Sequence, residues 1–334
     1  MSHIIAVLGS GSWGSALAVH LAQAGHDQVR LWARDAELVH QMASTRTNAA
    51  YLPGIAFPPA VRPTHDLADA VDGATIVVAA VPSHGLRTVA RAAAPFLGSD
   101  ATLVSAAKGL EAGSLLRMSE VLHAEIPGAA AVVVLSGPSF AIELARGLPT
   151  AVVVAASSTD AVEMVQANFR SPALRLYGSS DVVGVETGGA LKNVIAIAAG
   201  VVEGLGMGHN ALAALITRGL AELTRLAVGL GAQRDTMAGL AGLGDLVLTC
   251  TGDLSRNRQV GMALARGQSL EQILRSTRMV AEGVRTTDAA LALGARHGIE
   301  LPIAAQMAEV LQGRTDPQSA IRELMGRRQK LEHA

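Results

Sequence analysis

Within its first nine residues the chain passes from a short apolar run, HIIAVLG, into GSGSWG, residues 9–14, and then directly into a segment of helical period from Trp13 to Ala24. A strand that turns at once into a helix through three glycines constrains the fold more than any other feature of this sequence. Gly9 permits the tight turn, Gly11 lets backbone approach a pyrophosphate, and Gly14 lets the helix pack on its strand. The helix then offers unpaired N–H groups, at the positive end of its dipole, to an anion. A ligand-free structural turn is the alternative reading of the loop alone.

The surrounding pattern supports the first reading. Apolar runs at VRLWA (29–33), ATIVVAAV (74–81), ATLVSAA (101–107), AAVVVLS (130–136) and TAVVVAA (150–156) alternate with helical periods such as Ala36–Ala43, Leu86–Ala94 and Asp160–Phe169. Strands alternating with helices predict a mostly parallel, doubly wound sheet. After Asp181 such runs give way to apolar residues at helical spacing, which predicts helices over 181–205, 210–229, 234–241, 255–266, 269–275, 285–296, 302–311 and 317–326. At 334 residues the chain exceeds one ordinary core. The expected architecture is α/β: a Rossmann-type doubly wound domain over residues 1–180, followed by an all-α domain over 181–334.

Composition excludes several classes of function. A formal net charge of −1 with no block of like charge argues against nucleic-acid binding. Cys250 is the sole cysteine, so no intramolecular disulfide is expected, and it reads as a small core residue in a reducing compartment. No basic region precedes the first apolar run, and the longest near-apolar stretch, Val194–Val202, is shorter than the ~20 residues of a membrane helix. A cytoplasmic protein without stable membrane insertion is expected. Ten histidines are scattered singly, as at His84, His209 and His297, so no metal site is expected, and the chain lacks the G-x-S-x-G elbow of serine hydrolases.

Four places carry chemistry. Some twenty residues beyond the glycine loop, where an acidic residue would meet the ribose of NAD, the second strand ends LWARD. Arg34 there suits the 2′-phosphate of NADP, while Asp35 leaves NADH open; a solvated surface charge is the alternative reading of Arg34. In ETGGALKNV, Lys192 lies on a helix that is apolar on nearly every side. Desolvation lowers an ammonium pKa toward neutrality, which suits acid/base catalysis; a snorkelling lysine or a structural ion pair with Glu186 or Glu203 is the alternative. Gly188, Gly189 and Ala196 keep that helix face small. Lys108, in SAAKGLE, follows a strand and so stands at a carboxyl end of the sheet, where open α/β folds bind ligands. Ser255 at a helix start, with Arg256, Asn257 and Arg258, offers fork donors and helix N–H groups to an anion; a helix N-cap with solvated arginines is the alternative.

Taken together, GSGSWGSALA, NAAYLPG (48–54), AVPSHGLR, SAAKGLE, LSGPSFA, ETGGALKNV, NALAALITRGLAE, GLGDLVLTC, SRNR and VAEGV closely resemble bacterial NAD(P)H-dependent glycerol-3-phosphate dehydrogenase over nearly the whole chain. The resemblance implies reduction of dihydroxyacetone phosphate to sn-glycerol 3-phosphate for glycerophospholipid synthesis, NADPH as cofactor, and a homodimer. By the same resemblance Lys192 transfers the proton, and Asn193 shares its signature. Lys108 would lie near both substrate and nicotinamide and, with Asp245, would orient Lys192 and the substrate hydroxyls, while Gly137, Ser139, Asp245, Thr249, Ser255, Arg256 and Asn257 would line the substrate. Gly9, Gly11, Gly14, Ser12, Trp13, Arg34, Lys108, Ala141, Arg256, Val280 and Glu282 would contact cofactor. His209 in GMGHNA departs from the usual pattern, away from the proposed chemistry. A dehydrogenase of the same architecture acting on a 3-hydroxy acid or 6-phosphogluconate, or a non-catalytic NADPH sensor, are the rival readings; SRNR and Lys192 respectively weigh against them.

Overall fold

A computed structural model describes residues 3–276, 282–329 and 331. In the first half, strands β1 (Ile5–Leu8), β2 (Val29–Trp32), β3 (Thr47–Asn48), β4 (Leu52–Ala56), β5 (Val61–Thr64), β6 (Ile76–Ala79), β7 (Thr102–Ser105), β8 (Ala131–Ser136), β9 (Thr150–Ala155) and β10 (Leu174–Ser179) follow one another. Between them run α1 (Ser12–Gln23), α2 (Ala36–Thr45), α3 (Leu67–Val71), α4 (Ser83–Ala93), α5 (Met118–Glu125), α6 (Ala141–Ala145) and α7 (Thr159–Phe169). Eight of the strands form one sheet in the order β10-β9-β8-β7-β6-β1-β2-β5, while β3 and β4 form a separate antiparallel hairpin. From β8 to β5 every pairing is parallel, whereas β8 and β9 are antiparallel.

The six strands and four helices read from periodicity in this half all form, within a few residues of their expected ends. β5 and β10 were not expected. Both are edge strands, and Pro63 within VRPT breaks the apolar run that marks a central strand. Central strands carry Ile, Val and Leu on both faces, and β1 and β6 are buried along their full lengths. The chain proceeds from β1 outward through β2 to β5, then returns to β6 on the other side of β1. Crossovers therefore reverse between β1 and β6, and the crevice beyond their carboxyl ends is where such sheets take ligands.

The helical half comprises α8 (Val182–Gly204), α9 (Gly208–Gly229), α10 (Arg234–Ala238), a π-helical turn Leu240–Gly244, α11 (Asp245–Thr251), α12 (Arg256–Ala265), α13 (Leu270–Ser276), α14 (Glu282–His297), α15 (Pro302–Leu311) and α16 (Pro317–Met325). α8 is its axis, buried from Gly184 through Val202. Although the sequence offers no long uninterrupted apolar stretch, α8 as a whole is long and apolar enough to cross a membrane; 89% of its most apolar window is buried inside this fold, the environment of a core helix. Glycines set its closest neighbour. A Cβ at Gly200 would stand 1.9 Å from the Arg258 carbonyl oxygen, and one at Gly261 would stand 1.9 Å from that of Ile197. With hydrogens in place of side chains, α8 and α12 cross backbone to backbone, which delivers the start of α12 to Asn193 on α8.

The 234–241 helix stops at Ala238, and the glycine-bounded stretch after it folds into the π turn and α11. A Cβ at Gly242 would lie 2.2 Å from the Met237 carbonyl oxygen, so the turn depends on that glycine. Glycine density hid a helix here because glycine in helical sequence normally costs about 1 kcal/mol.

Candidate active site

At the mouth of the sheet's crevice the helical half meets the strands, and one buried carboxylate organises the junction. Asp245, at the start of α11, is 1% exposed and accepts from two lysines. Lys192, from the middle of α8, donates to its Oδ1, and Lys108, beyond the end of β7, donates to its Oδ2 at 2.6 Å. Lys192 also donates to Thr249 Oγ1 at 2.8 Å. The Thr249 hydroxyl gives its own proton to the Asp245 carbonyl oxygen at 2.6 Å, so toward Lys192 it acts as acceptor. The second acceptor of Lys108 is the Gly137 carbonyl oxygen at 2.9 Å. An ammonium has three N–H groups. Each lysine spends two on these fixed acceptors and retains one for a ligand.

Small residues make the approach possible. A Cβ at Gly189 would stand 2.5 Å from Ser136 Oγ and 3.7 Å from Lys108 Cγ, and one at Gly188 would stand 2.6 Å from the Ala241 carbonyl oxygen. Gly137 holds φ at +135°, where a side chain would be strained, and its would-be Cβ lies 3.0 Å from Val152 Cα. Its carbonyl also accepts from Ser139 Oγ at 3.1 Å.

Burial lowers the Lys192 pKa to about 8, with Asp245 opposing and the neighbouring charge of Lys108 adding to the fall. The alternative ion pairs for Lys192 do not form. Glu186 instead accepts from Arg117 Nη1 at 2.7 Å, Ser119 Oγ at 2.5 Å and the Ser119 N–H at 2.8 Å, tying α8 to the start of α5. Glu203 pairs with Arg258. That pairing also corrects the anion-site reading of SRNR: Arg258 is buried, held by Glu203 through Nε and Nη2 and further by Asp253 at 3.1 Å, so its donors are spent on carboxylates. Arg256, one position into α12, is exposed. Ser255 caps the helix by accepting from the Arg258 N–H at 3.3 Å.

Asn193, next to Lys192, accepts from Asn257 Nδ2 at 2.9 Å, and Asn257 Oδ1 accepts from the Gly283 N–H at 3.0 Å. This relay seats α14 against α8 and α12. Glu282, adjacent to Gly283, accepts from the Ser83 N–H at 3.2 Å. Burial pushes Glu282 up to about 7, against the Ser83 N–H and the positive charges of Arg256, Lys192 and Lys108. Val280 lies outside the described residues.

The glycine loop fits a dinucleotide. Gly9 has φ +113°, and its would-be Cβ lies 2.8 Å from the Ala80 carbonyl oxygen. A Cβ at Gly14 would fall 1.9 Å from the Gly9 carbonyl oxygen, yet one at Gly11, the residue before α1, would meet nothing within 4 Å. The loop is closed toward the protein and open at Gly11 and Ser12, where α1 begins. Trp13 packs with Ala141 over Ala16, Leu52 and Ala145, and its Nε1, although buried, finds no acceptor among the described residues. At the far end of β2, Asp35 caps α2, its Oδ1 accepting from the Glu37 and Leu38 N–H groups at 3.0 and 3.2 Å. Its Oδ1 is thus engaged in the helix start, and Arg34 beside it is exposed. Partial desolvation, then the charges of Arg285 and Arg34, lowers the pKa of His84. In sequence His84 is only one of the scattered histidines and nothing marks Arg285, because α4, α14 and the end of β2 bring His84, Arg285 and Arg34 near one another only in the fold.

The chain matches the N-terminal model of NAD-dependent glycerol-3-phosphate dehydrogenase over residues 4–162 and the C-terminal model over 181–322. It is 51% identical over 326 residues to glycerol-3-phosphate dehydrogenase [NAD(P)+] of Koribacter versatilis, covering 97% of both chains. Against the enzyme of the same name from Geobacter sulfurreducens it is 51% identical over 334 residues, covering 99% of both. The crystal structure of glycerol-3-phosphate dehydrogenase from Coxiella burnetii superposes with a TM-score of 0.94 at 40% identity, over 98% of this chain and 99% of that one.

Proposed function

This chain belongs to the NAD-dependent glycerol-3-phosphate dehydrogenase family, and on that premise we propose that it reduces dihydroxyacetone phosphate to sn-glycerol 3-phosphate in the cytoplasm for glycerophospholipid synthesis, as a homodimer using NADPH. The observation that carries the chemistry is the Lys192–Asp245–Lys108 triad, in which a desolvated lysine keeps one N–H unspent beside the crevice. When bound, the reduced nicotinamide supplies a hydride to the ketone carbon, and the carbonyl oxygen becomes an alkoxide.

Lys192 gives that oxygen its third proton. With a pKa near 8 it is a better acid than an ordinary lysine, while Asp245 and Thr249 keep Nζ in place before and after transfer. Lys108, held by Asp245 and Gly137, directs its remaining N–H to the substrate's oxygens and adds positive charge where negative charge develops. Arg256, with the helix start at Ser255 and Asn257, would hold the phosphate through charge-assisted bonds. Asn193 and Asn257 fix the distance between that anion site and Lys192. Gly9, Gly11, Ser12, Trp13 and Gly14 would hold the cofactor's pyrophosphate, Arg34 its 2′-phosphate, and Ala141 and Glu282 its nicotinamide half.

Purified protein mixed with NADPH should lose the reduced-nicotinamide absorbance on addition of dihydroxyacetone phosphate, with glycerol 3-phosphate formed in equal amount. Unphosphorylated dihydroxyacetone should react far more slowly at the same concentration. Equal rates with the two ketones would remove the phosphate from the account.

A further inference from the structure

The stretch NAAYLPG has no part in the proton transfer or the anion site. It forms the turn of the β3–β4 hairpin, and its first residue, Asn48, is fully buried against the glycine loop. Asn48 Oδ1 accepts from the Tyr51 N–H at 3.2 Å. Its Nδ2 donates to the Ser10 carbonyl oxygen at 2.8 Å and to Ser15 Oγ at 2.9 Å. The Ser15 hydroxyl, accepting from Asn48, donates its own proton to the same Ser10 oxygen at 3.1 Å. Because a backbone N–H only donates and a carbonyl only accepts, these bonds admit one orientation of the amide.

The Ser10 carbonyl is therefore pinned by two donors. In a planar trans peptide the C=O of one residue and the N–H of the next point in opposite directions. Drawing the Ser10 oxygen inward, toward Asn48 and Ser15, turns the Gly11 N–H the other way, at the residue whose would-be Cβ has open space around it. The hairpin that supplies Asn48 is itself anchored. Leu52 is buried with Ala16 and Ala145 in the cluster that includes Trp13, and Arg46 donates to the Phe57 and Pro58 carbonyls at the hairpin's far end. Without Asn48 the Ser10–Gly11 peptide keeps one restraint, and rotation about it would present a carbonyl oxygen to the anion.

We propose that Asn48 is a positioning residue for the dinucleotide's pyrophosphate, acting through the Ser10–Gly11 peptide. The proposal rests on the reading of the glycine loop as the cofactor site. It predicts a loss confined to ligands that carry a pyrophosphate. The test measures dissociation constants for NADPH, by its fluorescence on binding, and for adenosine 2′-phosphate, which has the adenosine and the 2′-phosphate but no pyrophosphate. Asn48→Ala should weaken NADPH about tenfold, the size of a lost bond in a charge-binding network. It should leave adenosine 2′-phosphate within about twofold, and the loss should appear in KM for NADPH rather than in kcat. Asn48→Asp keeps the acceptor for Tyr51 but faces the Ser10 oxygen with a carboxylate, so it should lose at least as much. Ser15→Ala leaves the hairpin anchor intact and should lose less, in the same direction, which decides the matter if the Asn48 variants fail to fold. Equal weakening of both ligands, or unchanged NADPH affinity in Asn48→Ala and Ser15→Ala, would overturn the proposal. Failure of the unaltered protein to bind NADPH would instead overturn the reading beneath it.

Discussion

Replacing Asp245 with Asn tests the electrostatics of the site, because the two carboxylate oxygens are the shared acceptor of Lys192 and Lys108. The substitution keeps the side chain's shape and removes its charge. In the unaltered protein burial lowers Lys192 to about 8 and Asp245 works against that fall. An opposite charge at hydrogen-bond distance moves a pKa by about 1 to 3 units, so removing it should carry Lys192 down to about 6. At pH 7.5 a lysine of pKa 8 is about three-quarters protonated and one of pKa 6 only about 3%, which predicts a loss of about 25-fold in the rate of ketone reduction from protonation alone. The sign follows from the role. Reduction needs the ammonium, so in the unaltered protein it should fall as pH rises through about 8, and oxidation of glycerol 3-phosphate, which needs the neutral amine, should rise through the same pH. In Asp245→Asn the alkaline limb of kcat/KM for reduction should move to about pH 6, and much of the lost rate should return on acidification. The assay is the pH profile of NADPH oxidation with dihydroxyacetone phosphate. An alkaline limb that stays near 8, or a loss equal at every pH, would refute the reasoning.

Further expectations follow from other parts of the structure. Arg256→Ala should raise KM for dihydroxyacetone phosphate by about tenfold to a hundredfold, the worth of a charge-assisted bond, and an unchanged KM would remove it from the phosphate site. Exchanging Arg34 for Asp should weaken NADPH far more than NADH in steady-state kinetics, since the exposed guanidinium would pair with the 2′-phosphate and a carboxylate in its place would repel it; equal losses would count against that assignment. Gly200→Ala must force α8 and α12 apart, because its Cβ would start 1.9 Å from the Arg258 carbonyl oxygen. It should destabilise the fold by about 1–3 kcal/mol in denaturant unfolding, while an unchanged midpoint would show that the helices separate freely.

What could be read from the sequence was what lies in one continuous segment. The glycine loop, its strand and its helix are contiguous, and both the turn at Gly9 and the packing at Gly14 follow from local sterics. Lys192 stood out because an ammonium in the middle of a helix apolar on nearly every side conflicts with its surroundings. Its partner Asp245 was reached only through the resemblance, because it lies 53 positions away on α11, a helix hidden by the glycines around it, and no local pattern links the two. The same limit explains Arg258, whose sequence neighbours suggest an anion site but whose side chain is claimed by Glu203 one helix away. Asn48 was visible as part of a motif, yet its purpose depends on a carbonyl at Ser10, and backbone acceptors leave no trace in composition.

The central claim is that Lys192 supplies the proton while the glycine loop, remote from it in sequence, holds the cofactor. Lys192→Ala protein, loaded with NADPH and mixed with dihydroxyacetone phosphate in a single-turnover experiment, tests both halves at once. NADPH should bind with nearly unchanged affinity and remain unoxidised on the timescale in which the unaltered protein completes its turnover. Oxidation within about tenfold of the unaltered rate, a difference of only ~1.4 kcal/mol in barrier, would contradict the account.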